Sequence, residues 1–154
     1  MVVLIDTNVI LDSVLDRKPF VEQSNAIFEL CFKKKLYGCI AAHSITNLFF
    51  ILRKHMTGKQ RRVTLLKLCR LFTVVSIDSD KIISALNNDN FSDFEDCLQD
   101  ECAVDFDADY IITRNISDFK GSKVKAVEPS EFWQCLPNNN INKQKRKELA
   151  NGFI

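Results

Sequence analysis

The chain has 154 residues, 46% of them hydrophobic and 27% charged, the proportions of a globule long enough to bury a core without disulfide or metal staples. No apolar run reaches the ~20 residues of a membrane span, and the chain opens on a strand pattern rather than a basic leader, so a cytoplasmic protein with no membrane association is expected. The net charge of +1 conceals segregation: residues 53–70 carry seven Lys or Arg and no acid, whereas residues 89–109 carry nine acids and no base. Two solvated faces would give that pattern, and so would an enzyme that grips a polyanion and cuts it with a metal.

The first element is VVLIDTNVILD, residues 2–12. Its four apolar residues, three of them β-branched, suit a strand buried on both faces of a parallel sheet. The run ends in Asp6, Thr7 and Asn8, and a helical pattern follows. Asp6 thus falls at the carboxyl end of a parallel strand, where ligands bind in open α/β sheets. Beside a helix N-terminus its carboxylate can hold a cation; Thr7 or Asn8 could equally be no more than a helix cap.

Residues 21–34 read as a helix closed by three lysines, and residues 38–42 as a short second strand. Ile45, Leu48, Phe49 and Leu52 then form one apolar stripe, with Ser44 as the N-cap candidate and Asn47 in the first turn. Gly58 breaks that helix. Residues 59–71 resume it with a basic face, residues 72–77 form a third strand, and a helix runs from Asp78 to about Asn88. Ser92 and Glu95 match a capping box for a helix over 93–106. Asp93, Asp96 and Asp100 share a stripe of that helix, where repulsion gives nothing back without a counterion. Residues 110–113 form a fourth strand, ending in Arg114, Asn115 and Asp118. Residues 124–127 form a short edge strand, and Pro129 opens a last short helix. Residues 1–136 therefore form one domain. Residues 137–154 are a polar, basic tail with little to bury, ordered only on a partner if at all.

Strand–helix alternation implies a three-layer α/β/α domain with a mainly parallel five-stranded sheet. Its polar junctions collect on one edge and bring Asp6, Asn8, Asn47, Asp96, Asn115 and Asp118 within reach of one another. Oxygen ligands of this kind select Mg²⁺ or Mn²⁺. Zinc is excluded, because the six cysteines contain no C-x-x-C pair and neither His43 nor His55 stands at ligand spacing from one. There is no Gly-rich phosphate loop and no histidine-activated nucleophile, which leaves metal-assisted hydrolysis as the fitting reaction class.

The N-terminal VVLIDTNVILD, the helix start at Ser44–Leu48, the run Asp96-Cys97-Leu98-Gln99 with Ala103, and the ending IITRNISDF at residues 111–119 resemble a PIN domain. Within that family they look most like the small bacterial VapC-related toxins, over about residues 2–135 of this chain. The resemblance implies a Mg²⁺- or Mn²⁺-dependent endoribonuclease, blocked by a cognate antitoxin protein and often homodimeric. It makes Asp6 and Asp96 metal ligands. Asn115 and Asp118 complete the catalytic edge, directly or through water. Asn8 orients Asp6, with Ser44, Asn47 and Asp93 in support. Asn47 stands where the family usually has a glutamate, and an amide brings no charge. The alternative is therefore a catalytically weakened PIN-like module that binds RNA or protein. A phosphatase built on Asp6 fits less well, since Asn8 occupies the place of its second acid.

Overall fold

The computed structural model describes residues 1–136; the tail expected over 137–154 lies outside them. Five parallel strands form one sheet: β1 (Val2–Ile5), β2 (Tyr37–Ala41), β3 (Thr73–Val75), β4 (Tyr110–Ile112) and β5 (Ala126–Val127), in the order β3-β2-β1-β4-β5. The period of two along β1 divides the core. Val3 and Ile5 face one layer, with Ile40 and Ile112. Leu4 faces the other, with Cys39 and Ile111. All of these are wholly buried, which explains the continuous apolar runs of the strands.

The first layer holds α1 (Thr7–Val14), α2 (Val21–Phe32), α3 (Ala42–Ile51) and α4 (Gly58–Leu71), together with Phe132 and Trp133 from a last 3₁₀ turn, Phe132–Cys135. The second holds α6 (Phe94–Asp105) and, beside it, α5 (Ser79–Leu86). The expected three-layer α/β/α arrangement is the observed one. Gly38 in β2 is a close-approach glycine, since a Cβ there would lie 2.6 Å from the Phe72 ring.

Two expected caps differ. Asp93, rather than Ser92, caps α6; its carboxylate accepts from the N–H of Glu95 at 2.7 Å and of Asp96 at 3.4 Å. An anionic acceptor serves the positive end of a helix better than a hydroxyl, so the helix starts one residue later than a Ser92–Glu95 box requires. Nor does Ser44 cap α3. The chain passes from Ala41 of β2 straight into the helix at Ala42 without a side-chain cap. Ser44 is therefore buried inside the helix, its Oγ without a hydrogen-bond partner among the described residues, and Asn47 falls in the second turn. The lysines expected to close α2 lie just beyond its end, where Lys33 pairs with Glu29.

Candidate active site

Strand order reverses at β1, with β2 and β3 to one side and β4 and β5 to the other. Ligands of open parallel sheets bind at the carboxyl ends of strands beside such a reversal. Ile5 is in register with Ile112, so the next residues, Asp6 and Thr113, emerge side by side. The Thr113 hydroxyl donates to Asp6 Oδ2 at 2.7 Å. Asn8 Nδ2 donates to the same oxygen at 2.5 Å and also contacts Thr113 Oγ1 at 3.2 Å. Gln99 Nε2 donates to Asp6 Oδ1 at 3.0 Å. Burial pushes the Asp6 carboxyl up from its ordinary pKa, opposed by the bonds from Thr113 and Gln99 and the amides of Asn8 and Thr7.

Asp96 comes from the first turn of α6, one turn before Gln99, whose Nε2 also lies 3.5 Å from Asp96 Oδ1. One amide nitrogen thus stands between the two carboxylates. The Asp96 carboxyl is pushed up to about 7, first by burial and then by Asp6, Asp93, Asp118 and Glu95 in that order. Every charge in that set is negative. Asp118, in the 3₁₀ turn Ile116–Phe119, belongs to this field while its Oδ1 accepts from Ser117 Oγ at 3.3 Å. Asn115 is exposed at the start of the turn, and its N–H donates to Thr113 Oγ1 at 3.0 Å. Asn47 Nδ2 donates to Glu95 Oε2 at 2.7 Å, so a carboxylate stands beside the amide at the rim.

The expected acid stripe is divided. Asp93 spends its carboxylate on the cap. Asp100 is wholly buried and faces away, accepting from Ser122 Oγ at 2.5 Å and from the N–H groups of Lys123 and Val124 at 3.0 and 3.1 Å. Three further residues belong to the neighbourhood. Thr113 follows β4 as Asp6 follows β1, so the junction argument applied to both strands would have found it. Gln99 lies three residues after Asp96, on the same helical face. His43 is the second residue of α3, just past the carboxyl end of β2. Both its ring nitrogens are shielded from solvent without a hydrogen-bond partner among the described residues. Burial lowers its pKa against the pull of Glu95, Asp6 and Asp93.

The donor set suits a hard divalent cation. Its acidic members are oxygen donors, no basic side chain is among the charges that raise the Asp96 pKa, and Gln99 Oε1 is a buried acceptor with no partner among the described residues. Among those residues no three His, Cys, Asp or Glu side chains gather tightly enough to hold a metal ion by themselves. One or two carboxylates with water completing the shell is the habit of Mg²⁺.

Comparison with known proteins agrees with this fold. The family model described as PIN domain matches residues 2–117. No curated protein matches the chain. Among solved structures, VapBC2 from Rickettsia felis, crystallised with a DNA fragment from its promoter, has a TM-score of 0.61 at 15% identity, covering 83% of this chain and 98% of that one. FitAcB from Neisseria gonorrhoeae has a TM-score of 0.60 at 20% identity, with 83% and 98% covered. A toxin–antitoxin complex from Klebsiella pneumoniae has a TM-score of 0.58 at 18% identity, with 82% and 97% covered. At such identities these structures speak for the fold. With the family model spanning most of the chain and the acidic residues meeting where the sheet reverses, this protein belongs to the PIN domain family.

Proposed function

We propose that the protein is a divalent-metal-dependent endoribonuclease and the toxin of a toxin–antitoxin pair. The observation that carries this reading is the meeting of Asp6 and Asp96, from β1 and α6, on either side of the Gln99 amide nitrogen. Membership of a family that is in general one of nucleases supports it. Asp6 and Asp96 would hold Mg²⁺ or Mn²⁺, which lowers the pKa of a bound water and neutralises charge on a phosphoryl oxygen. Thr113, Asn8 and Gln99 fix the Asp6 carboxylate in one orientation before substrate arrives. Asp118 and Asn115 border the cleavage point, and Glu95 adds charge at the rim where Asn47 has none.

The basic surface of α4 would track the RNA backbone through Lys59, Arg62, Lys67 and Arg70, all exposed. Arg61 is committed inward, its guanidinium 4.2 Å from the Phe49 ring and bonded to the Phe49 carbonyl at 2.8 Å. An antitoxin partner is supported by the toxin–antitoxin complex among the similar structures. Exposed Phe50, Val63 and Leu66 on α3 and α4 are apolar surface such a partner, or a second copy in a homodimer, would cover. Among the described residues no helix is long and apolar enough to cross a membrane, in keeping with action on cytoplasmic RNA.

The alternative, a module that binds RNA or protein without cutting, rests on Asn47; the Glu95 carboxylate beside it favours the enzyme. Asp6→Ala and Asp96→Asn should each abolish Mn²⁺-stimulated RNA cleavage while preserving a cooperative melt. Cleavage at the parent rate in both folded variants would refute the assignment, and tight Mn²⁺ binding by a parent that never cuts RNA would favour the alternative.

A further inference from the structure

Beside the carboxylates lies a cavity of about 300 Å³, lined among others by Phe20, Gln23, Arg114, Asn115, Glu128 and Ser130. We infer that it is a nucleobase subsite that selects guanine in the strand being cut; this rests on the ribonuclease reading above. The cavity and the carboxylates share one hydrogen-bonded network. The Arg114 N–H donates to Asn8 Oδ1 at 3.3 Å, and Asn8 in turn holds Asp6. Asn115 both lines the cavity and donates its backbone N–H to Thr113, a second partner of the same Asp6 oxygen. A nucleotide whose phosphate lies at Asp6 and Asp96 therefore has this cavity as a neighbouring place for its base.

The walls suit a flat heterocycle. The Arg114 guanidinium sits 4.3 Å from the centroid of the Phe20 ring. Its Nε is 2.7 Å from Oδ2 of Asp12, a wholly buried acid, in a charge contact whose N–H does not align as a hydrogen bond. Arg114 is thereby held over the Phe20 ring, while its side chain stays 27% exposed and Phe20 40% exposed. Single-stranded RNA is recognised by stacking unpaired bases on aromatic rings and guanidinium planes. The volume is at the small end for ligand pockets, suited to one base.

Selectivity comes from Glu128. Its Oε2 accepts from the Ser130 hydroxyl at 3.2 Å, which steadies a carboxylate at the cavity wall. Of the four RNA bases only guanine presents two adjacent N–H donors, N1 and N2, on its Watson–Crick edge, matching the two oxygens of a carboxylate. Adenine and cytosine pair one donor with a ring acceptor. Uracil flanks its single donor with two carbonyls, which a carboxylate repels.

The test is titration of the full chain, without metal, with each of the four nucleoside 5′-monophosphates, followed by calorimetry and by NMR shifts. GMP should bind at least about fivefold more tightly than AMP, CMP or UMP, as one bidentate pair allows, and should move the resonances of Phe20, Arg114 and Glu128. Glu128→Gln should erase the preference with the thermal melt unchanged, and Phe20→Ala should weaken GMP binding. Equal binding of all four nucleotides, no binding of any, or shifts confined to other residues would overturn the subsite, as would a preference that survives in folded Glu128→Gln. Cleavage mapping on random-sequence RNA with Mn²⁺ separates the two ideas. Cutting without guanine preference overturns the subsite alone. Guanine-selective binding by a protein that never cuts RNA overturns the ribonuclease reading and leaves the subsite standing.

Discussion

Thr113 concentrates the physics of the site in one hydroxyl. It donates to Asp6 Oδ2 and accepts from Asn8 Nδ2 and the Asn115 N–H, so it joins β1, β4 and the loop that carries Asn115 and Asp118. Thr113→Val keeps the shape and removes all three bonds. The buried groups left unpaired should cost about 1–3 kcal/mol in urea denaturation. Among the hydrogen bonds that hold the Asp6 carboxyl down, the one from Thr113 is the largest. Its loss should therefore raise the Asp6 titration further, seen in carboxyl ¹³C shifts. Unchanged stability together with an unchanged Asp6 titration would show that the hydroxyl does not hold this carboxylate.

At the scale of elements, α6 does two jobs with one run of acids. Its N-terminal turn faces the site, and its middle fastens the turn before β5 through Asp100. Asp100→Ala would strand the backbone N–H groups of Lys123 and Val124 and leave the Ser122 hydroxyl with the Val124 carbonyl alone. It should cost on the order of 3 kcal/mol or more in chemical denaturation, as expected for lost bonds to a buried charge. Asp93→Ala removes only a cap and should cost about 1 kcal/mol. It should also lower the Asp96 pKa from about 7, because Asp93 is one of the carboxylates that raise it. Similar losses in the two variants would refute this division of labour. The same contrast shows what was legible in the sequence. Apolar runs placed all five strands, unbroken in β1, β2 and β4 where both faces are largely buried and shorter in the edge strands β3 and β5, and the junction rule then placed Asp6, Asn8, Asp96 and Asp118. Helical spacing put Asp100 beside Asp96 but could not show where it points, which depends on the loop at 121–124 coming back to meet it. Ser44 and Ser92 misled for a related reason. A cap depends on where the preceding chain stops, and β2 runs into α3 with no residue between them.

The whole molecule gathers carboxylates at one edge of a sheet with no basic side chain among the charges that set the Asp96 pKa, and this has a consequence for stability. Asp6 and Asp96 both hold their protons more tightly in the fold than an ordinary aspartate does, with a pKa near 3.8. Between about 4 and about 7 the unfolded chain has lost the Asp96 proton and the folded chain has kept it. The folded state binds more protons over that window, so stability falls as pH rises through it. A divalent cation reverses the penalty, since it binds the deprotonated site and displaces the proton. The melting temperature without metal should therefore fall from pH 4 toward pH 7 by more in the parent than in Asp96→Asn. The rise produced by Mg²⁺ or Mn²⁺ should be larger at pH 8 than at pH 5. Differential scanning fluorimetry across that range checks both signs. A metal-induced shift that ignores pH, or one that persists undiminished in Asp96→Asn, would mean that the cation binds elsewhere and that the crowded acids are neutralised by some other means.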